Sequence, residues 1–326
     1  MLRPYCKIII NGIVFPFCHT VEIHSTWEKH TDTAKIVMPK RIGFVDSDGN
    51  SISNEIIAGA KPTFKRGDPV EIWLGYVGNG LKREFLGVIS NVSPHLPLTI
   101  ECEDLMWNLK QTQVAKMYKS VNLQTLLKDI LPAGTPFQAV DTVVGSLELN
   151  YCTVVDVFNK LAQPPYGIQT WVRDGKVYCG LAYYQDMQDV FDFVFQSTVI
   201  SDELVFTRAD DLRVGIRAVN ITSKGKRETI TLGDGTGKMT KLKFHNCSAD
   251  TIKLFTQQQL ALQNHVGYKG KFKTFGLPSV KHGDAANLVN PIIADENGKF
   301  LIKAVTKSFG VGIGYKQEID LHWQLS

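Results

Sequence analysis

The stretch from Phe64 to Lys110, FKRGDPVEIWLGYVGNGLKREFLGVISNVSPHLPLTIECEDLMWNLK, decides the fold. Lys65-Arg66-Gly67-Asp68-Pro69 is a turn, because glycine tolerates positive φ and Asp-Pro starts a bend at little cost. Val70, Ile72 and Leu74 alternate with Glu71 and Trp73, which is the period of a half-buried strand. Gly75 to Gly80 reads as a glycine-rich hairpin loop, Phe85 to Val92 as the returning strand and Leu98 to Cys102 as a third strand. Glu103 and Asp104 then stand where the first turn of a helix favours acids, followed by Leu105, Met106, Trp107 and Leu109. Three strands and one short helix form a compact β module without a visible reaction centre.

Upstream, Lys7 to Ile10 leads into Asn11-Gly12, a strong two-residue hairpin signal. Val21 and Ile23 alternate with Glu22 and His24, and Ala34 to Met38 forms another strand stopped by Pro39. From Phe44 to Thr63 the alternation dissolves, and so long a loop in a compact β domain marks a contact surface. Downstream, Asn122 to Leu131 and Asn150 to Ala162 have helical spacing, and Ile168 to Gly180 reads as a hairpin around Asp174-Gly175. This change of texture predicts an inserted α+β domain over 118–204. It separates a β domain over 1–117 from a second one over 205–326, in which Ser248 to Val266 is a helix with Ser248 at its N-cap.

The last strands repeat the opening stretch. Val280-Lys281-His282-Gly283-Asp284 aligns with Phe64-Lys65-Arg66-Gly67-Asp68. Phe300 follows Gly283 by 17 residues, much as Phe85 follows Gly67 by 18, so the two phenylalanines align. Gln317 to Leu321 then echoes Leu98 to Cys102. Three matches in one order indicate two copies of one β module. Ala285-Ala286, in place of Pro69-Val70, predicts a shorter first strand in the second copy.

The chain has 326 residues, long enough for two or three domains with cores of their own. A formal net charge of +4, with basic residues scattered, gives no general argument for nucleic acid. The six cysteines form no C-x-x-C pair, and several sit in apolar strand patterns as core thiols. The N-terminus has no signal-peptide pattern and no run of about 18 apolar residues occurs, so neither export nor membrane insertion is expected.

Candidate chemistry fails position by position. Leu232 to Met239 lacks both the first glycine and the Ser or Thr of a phosphate loop, and reads as a hairpin tip. Asp46-Ser47-Asp48-Gly49-Asn50 starts like a calcium loop but continues with Ser51 and Ile57 where Gly and Glu are needed. The eight histidines have no metal spacing. Glu101 and Glu103 share a strand face, yet Glu318 and Asp320 repeat them, so a structural face explains the pair better than a glycosidase site. No cofactor and no enzymatic activity are expected.

The GDPVEIWLGY, REFLGVISNVSP and PLTIECEDLMWNLK segments resemble those of bacteriophage baseplate or tail hub proteins, the late-control protein D group, which is related to the hub part of type VI secretion spike proteins. The resemblance implies a mainly β fold with two tail-tube-like β-barrel domains plus a small inserted helix and hairpin domain. It implies a late structural protein of the virion tail or of a contractile injection system, assembled in the host bacterial cytoplasm. Three subunits would close a homotrimeric ring presenting six barrels, between a hexameric tail tube protein and a three-fold central spike protein. The tape-measure protein, and a genome or effector crossing the lumen without specific binding, would complete the partners. On that reading Gly67, Asp68, Gly283 and Asp284 shape corresponding turns. Asp46, Asp48, Asn50, Asn54 and Glu55 lie on a loop reaching a neighbouring subunit. The alternative is a tail-associated protein that binds or degrades host glycans through Trp73, Trp107 and Trp171, although packing accounts for each of these tryptophans.

Overall fold

The structure is a computed structural model, and it describes residues 3–39, 41–45, 51–55, 64–93, 97–163, 165–180, 189–207, 213–222, 224–245, 247–263, 267–293 and 296–325. The chain opens with β1 (Pro4–Ile10), β2 (Ile13–Phe15), β3 (Thr20–Thr26) and β4 (Thr33–Met38). A separate hairpin of β5 (Arg41–Val45) and β6 (Ser51–Glu55) precedes β7 (Pro69–Tyr76), β8 (Gly80–Ser93) and β9 (Leu98–Glu103). A one-turn helix, α1 (Met106–Leu109), leads to β10 (Gln113–Tyr118), β11 (Val121–Asn122), α2 (Leu123–Ile130), β12 (Phe137–Ala139) and β13 (Val143–Val144). Then come β14 (Leu147–Thr153), α3 (Val154–Ala162), β15 (Gln169–Arg173), β16 (Lys176–Gly180), β17 (Val190–Val194) and β18 (Val199–Thr207). After β19 (Val214–Ile221), β20 (Arg227–Gly233), β21 (Lys238–His245) and α4 (Ala249–Gln263), the chain closes with β22 (Gly267–Phe275), β23 (Ala285–Val289), β24 (Gly298–Gly310) and β25 (Gly314–Leu325).

The fold is mainly β, and it contains two copies of one six-strand order. In the first copy the strands run β3-β4-β9-β8-β7-β1, and in the second β18-β22-β25-β24-β23-β17. The correspondence is residue by residue: Ile89 pairs with Cys102 and, after a one-residue bulge, Asn91 with Glu101, while Ile302 pairs with Leu321 and, after the same bulge, Ala304 with Asp320. Gln317 to Leu321 therefore does match Leu98 to Cys102. The phenylalanine alignment does not hold, since Val70 faces Gly87 where Ala286 faces Phe300. Phe300 thus occupies the position of Gly87, two residues beyond Phe85. The outermost strands differ: β1 is antiparallel to β7, whereas β17 is parallel to β23. With five residues against eight, β23 is shorter than β7.

Each copy has its own core, with Phe309 and Tyr315 of the second copy packing into the first. The first is built on Ile8, Ile36, Ile72 and Ile100, and the second on Phe193, Phe272, Ile302 and Ile319. A third core gathers residues from all four helices with Ile216, Ala218, Leu242 and Phe244. The expected boundary at 204/205 is therefore displaced. Strands β17 and β18 pair with the C-terminal strands, and residues 214–263 pack with the inserted unit. Their partners lie 60 or more positions away in sequence, which local periodicity does not report.

Local chemistry sets the element ends. Asn11 and Gly12 (φ 48° and 81°), and Asp174 and Gly175 (φ 51° and 79°), make the two-residue turns that right-twisted hairpins favour. Asn122 caps α2, Thr153 and Asp156 form a capping box on α3, and Ser248 Oγ accepts the Thr251 amide at the start of α4. Four expectations change. Glu103 and Asp104 precede the single turn of α1 rather than forming it. Leu147–Thr153 is a strand, so the helix over 150–162 begins only at Val154. The span 44–63 is not one loop, because Ser51–Glu55 pairs with Arg41–Val45. The 234–237 connection is not a hairpin tip: β19 lies between β20 and β21 and pairs with both.

Candidate functional site

The twin Gly-Asp turns are the most closely repeated geometry in the chain. Gly67 (φ 91°) donates to the Ile89 carbonyl at 2.8 Å, and Ile89 returns its amide to Asp68 at 2.9 Å. Gly283 (φ 87°) donates to Ile302 at 2.9 Å, and Ile302 returns its amide to Asp284 at 2.9 Å. In both copies the aspartate Oδ2 accepts a lysine amide at 2.8 Å, from Lys65 in one and Lys281 in the other. An L side chain at either glycine would meet the positive-φ penalty. The surroundings differ. Asp68 is half-buried, but the side chain of Asp284 is 2 % exposed and takes an ion pair from Arg173 Nη2 at 3.0 Å. Lys281 Nζ reaches Asp174 at 3.0 Å, so the β15–β16 hairpin is clamped onto the second turn alone. Burial raises the pKa of Asp284, and Arg173 opposes that shift.

Beside this clamp lies a polar cleft of about 50 Å³ where both copies and the third unit meet. From the first copy, Ser25 Oγ and the Thr26 amide donate to Asp32 at 2.6 and 3.1 Å. The Asp32 amide donates to Asp104 at 3.0 Å, and Asp104 also accepts the Met106 amide at 2.9 Å. His282 of the second copy faces Asp32 at 3.8 Å. Burial pushes Asp32 up to about 7, burial and the neighbouring Asp32 raise Asp104 well above the usual carboxylate range, and burial holds His282 neutral with a pKa of about 3. A few ångströms on, Lys307 donates to Glu84 and, at 2.7 Å, to Ser279 Oγ, which itself donates to Glu84 at 2.7 Å. This buried triad joins the copies directly, and removing either ion leaves its partner charged in a dry site.

An aromatic cluster extends the junction. Trp27 of the first copy stands edge-on to Trp171 of the third unit at 5.8 Å and stacks on Trp323 of the second copy at 6.3 Å. Trp171 stacks on Tyr178 at 6.0 Å, and Leu301 is buried in the same cluster. Such pairs add roughly 0.5–1.5 kcal/mol each beyond area burial. His30 completes the link, with Nδ1 donating to the Thr170 carbonyl at 3.1 Å and Nε2 3.1 Å from the Asn159 side chain.

This arrangement clamps three units together and does not assemble a nucleophile with a base. Ser25 donates to a carboxylate and not to a histidine, while His282 is buried and 3.8 Å from the nearest carboxylate oxygen. Among the described residues no group of three or more His, Cys, Asp or Glu side chains could hold a metal ion. All six cysteines are free, and four of them are buried. The tryptophans proposed for glycan contact are dispersed: Trp73 donates to Glu71, Trp107 packs beneath Gly67 and Trp171 is in the junction. Glu101 is bound to Asn91, and Glu103 pairs with Lys110 at 2.5 Å.

Of the expected loop residues, Asn54 and Glu55 lie on β6 opposite Ile42 and Arg41, and Asp46, Asp48 and Asn50 fall outside the described residues. The junction was not anticipated, although one signal was present. Lys307 has the inward parity of Val305 and Phe309, so a charged residue occupies a core position of its strand.

The strand edges also differ between copies. β3 is paired on both sides, with β4 and, over seven residues from Thr20 to Thr26, with β24 of the second copy. Its counterpart β18 is nine residues long and, among the described residues, pairs only with β22. Along it Ile200 and Val205 are 43 % and 67 % exposed.

No family model and no curated protein matches the sequence. Solved structures do match. A tail protein from Neisseria meningitidis shares 13 % identity at a TM-score of 0.68, over 98 % of this chain and 96 % of that one. The 43 kDa tail protein of prophage MuSo2 from Shewanella oneidensis shares 12 % identity at 0.65, over 98 % of each. An Escherichia coli component of the type VI secretion system, described as similar to the phage T4 tail proteins gp27 and gp5, shares 12 % identity at 0.61, over 97 % of this chain and 76 % of that one. The chain therefore has the fold of phage tail proteins and of the type VI secretion component related to them.

Proposed function

We propose that the chain is a structural hub of a phage tail or related injection machine, in which three copies close a ring. The observation that carries this reading is the mismatch between equivalent edges. Within one chain, the first copy is joined to the second through β3 and β24. The second copy presents β18, the counterpart of β3, which among the described residues has no strand on its other edge. A nine-residue edge without a second strand partner among the described residues, with exposed Ile200 and Val205, is a template for another chain. A neighbouring subunit's first copy satisfies it, and repetition of that step gives a head-to-tail ring. Two copies per chain and three chains make six near-equivalent positions, which suit a hexameric tail tube on one side and a three-fold spike on the other.

On this reading the work of the protein is symmetry matching and enclosure. The tape-measure protein and the passing genome or effector occupy the lumen without a specific site, and the particle resides in the virion tail after assembly in the host cytoplasm. The segment 44–63 is assigned a contact with a neighbouring subunit or the adjacent ring, and a deletion of 46–57 that still gave a normal ring would remove that role. Light scattering on the purified chain, alone and mixed with its tube protein, tests the whole reading. The expected mass is that of three chains per particle; a strict monomer under both conditions would overturn it.

A further inference from the structure

A second surface, separate from the β18 edge and independent of the ring, has the composition of a docking site. In the three-stranded sheet β20-β19-β21, register assigns every side chain to a face. Arg217 lies opposite Thr231 and Lys241, Val219 opposite Thr229 and Lys243, and Ile221 opposite Arg227 and His245. The other face carries Ile216, Ala218, Leu242 and Phe244 into the third core. The outward face thus holds Arg217, Arg227, Lys241 and Lys243, all exposed, with His245 at one end.

Among the described residues no carboxylate shares that face. Glu228 has the opposite parity and accepts from Asn220, and Asp234 lies in the connecting turn, where it accepts from Thr236. Among the described residues none of the four cations has an ion-pair partner. This is unlike Lys271, Lys273, Lys281 and Lys303, which all pair with carboxylates. The chain as a whole carries 36 Lys and Arg against 32 Asp and Glu, so an acid-free face of this size is a local concentration of charge.

We propose that this face docks a partner protein that presents carboxylates around an apolar centre. Two features favour a protein over a nucleic acid. The central strand contributes Val219 and Ile221, both half-buried, so an apolar stripe is bordered by cations and by the Thr229 and Thr231 hydroxyls. An apolar centre with a charged rim is the usual anatomy of a protein interface. The face also carries no Phe, Tyr or Trp on which a single-stranded base could stack, and its one imidazole, His245, lies at the end of the sheet. Neighbouring strands lie about 4.8 Å apart, and alternate residues about 6.6–6.8 Å, so an apposed strand or helix bearing acids at those intervals meets Lys241, Lys243 and Arg217 together.

The test uses the full chain, a dye-labelled peptide of ten alternating Glu and Val residues, and a labelled 20-base-pair DNA duplex as the second probe. Fluorescence anisotropy should show that the peptide binds and that R217E/K241E/K243E weakens it about tenfold or more, since rim charges set both steering and retention. The neutral K241Q/K243Q variant should fall between the two, with an unchanged melting curve, which separates lost charge from lost folding. Absence of peptide binding, or peptide binding indifferent to both variants, would overturn the proposal. Duplex binding that exceeds peptide binding and disappears in the same variants would overturn it in favour of a phosphate-reading face.

Discussion

The two Gly-Asp turns share a backbone but differ in what covers them. Gly67 and Gly283 have φ angles within a few degrees of each other, and each turn closes on the same strand position, Ile89 or Ile302. Yet Asp68 holds only its own turn, whereas Asp284 anchors Arg173 of the third unit. The difference shows how a duplicated module becomes asymmetric. Backbone geometry is retained because the strand pairing depends on it, while side chains around one copy are recruited to hold an insertion. The turn without an ion pair and the β3 edge paired on both sides belong to the first copy, and the clamped turn and the β18 edge, which among the described residues pairs only with β22, to the second.

The largest expected effect is at the triad that joins the copies. Lys307→Met should cost about 3–5 kcal/mol in denaturant unfolding, because Glu84 is then left ionised in a dry site. The double variant Glu84→Leu/Lys307→Met should recover most of that loss. An equal loss in the double variant would mean that packing, not charge, governs the contact.

The next effect is pH-dependent. Asp32, pushed up to about 7 by burial, binds its proton more tightly when folded than when unfolded, where an aspartate titrates near 3.9. At Asp32 the folded state then holds more protons between about pH 4 and 7, so this group's contribution to stability falls as pH rises through that window, by roughly 2–4 kcal/mol. His282, held neutral with a pKa of about 3, contributes the opposite slope. Relative to wild type, Asp32→Asn should make the pH 4–7 slope of stability more positive, and the same slope in both proteins would refute the assignment.

The comparison of the turns is tested more directly by a matched pair. Asp284→Asn should cost about 2–3 kcal/mol, through the strand of charge left on Arg173, and Asp68→Asn less than about 1 kcal/mol. Equal costs would break the distinction between the clamped and the bare turn. The smallest expected difference is between Gly67→Ala and Gly283→Ala, which should each cost about 1–2 kcal/mol because both glycines have positive φ. A clear inequality in melting temperature would show that the two backbones are less alike than they look.

Much of the architecture was legible from residues alone. Alternation marked β3, β4, β7 and β9, Asn11-Gly12 and Asp174-Gly175 marked hairpins, and the Gly-Asp repeat revealed the duplication. The phenylalanine alignment failed because the returning strand is reached after 22 residues in one copy and 19 in the other, counted to Ile89 and Ile302. The 204/205 boundary failed because β18 finds its partner β22 across an intervening unit, and long-range pairing leaves no local trace. The junction was hidden for the same reason, since Ser279 and Glu84, or Arg173 and Asp284, are more than a hundred positions apart. Only Lys307, a charge at an inward strand position, pointed to it.

The account rests on β18 being closed by another chain, and amide hydrogen exchange on the assembled particle tests that directly. The predicted result is that β18 amides, which alternate between protected and exchanging in the isolated chain, become protected throughout Val199–Thr207 to the level of β3. Free exchange at alternate β18 amides in the assembled particle would contradict the account.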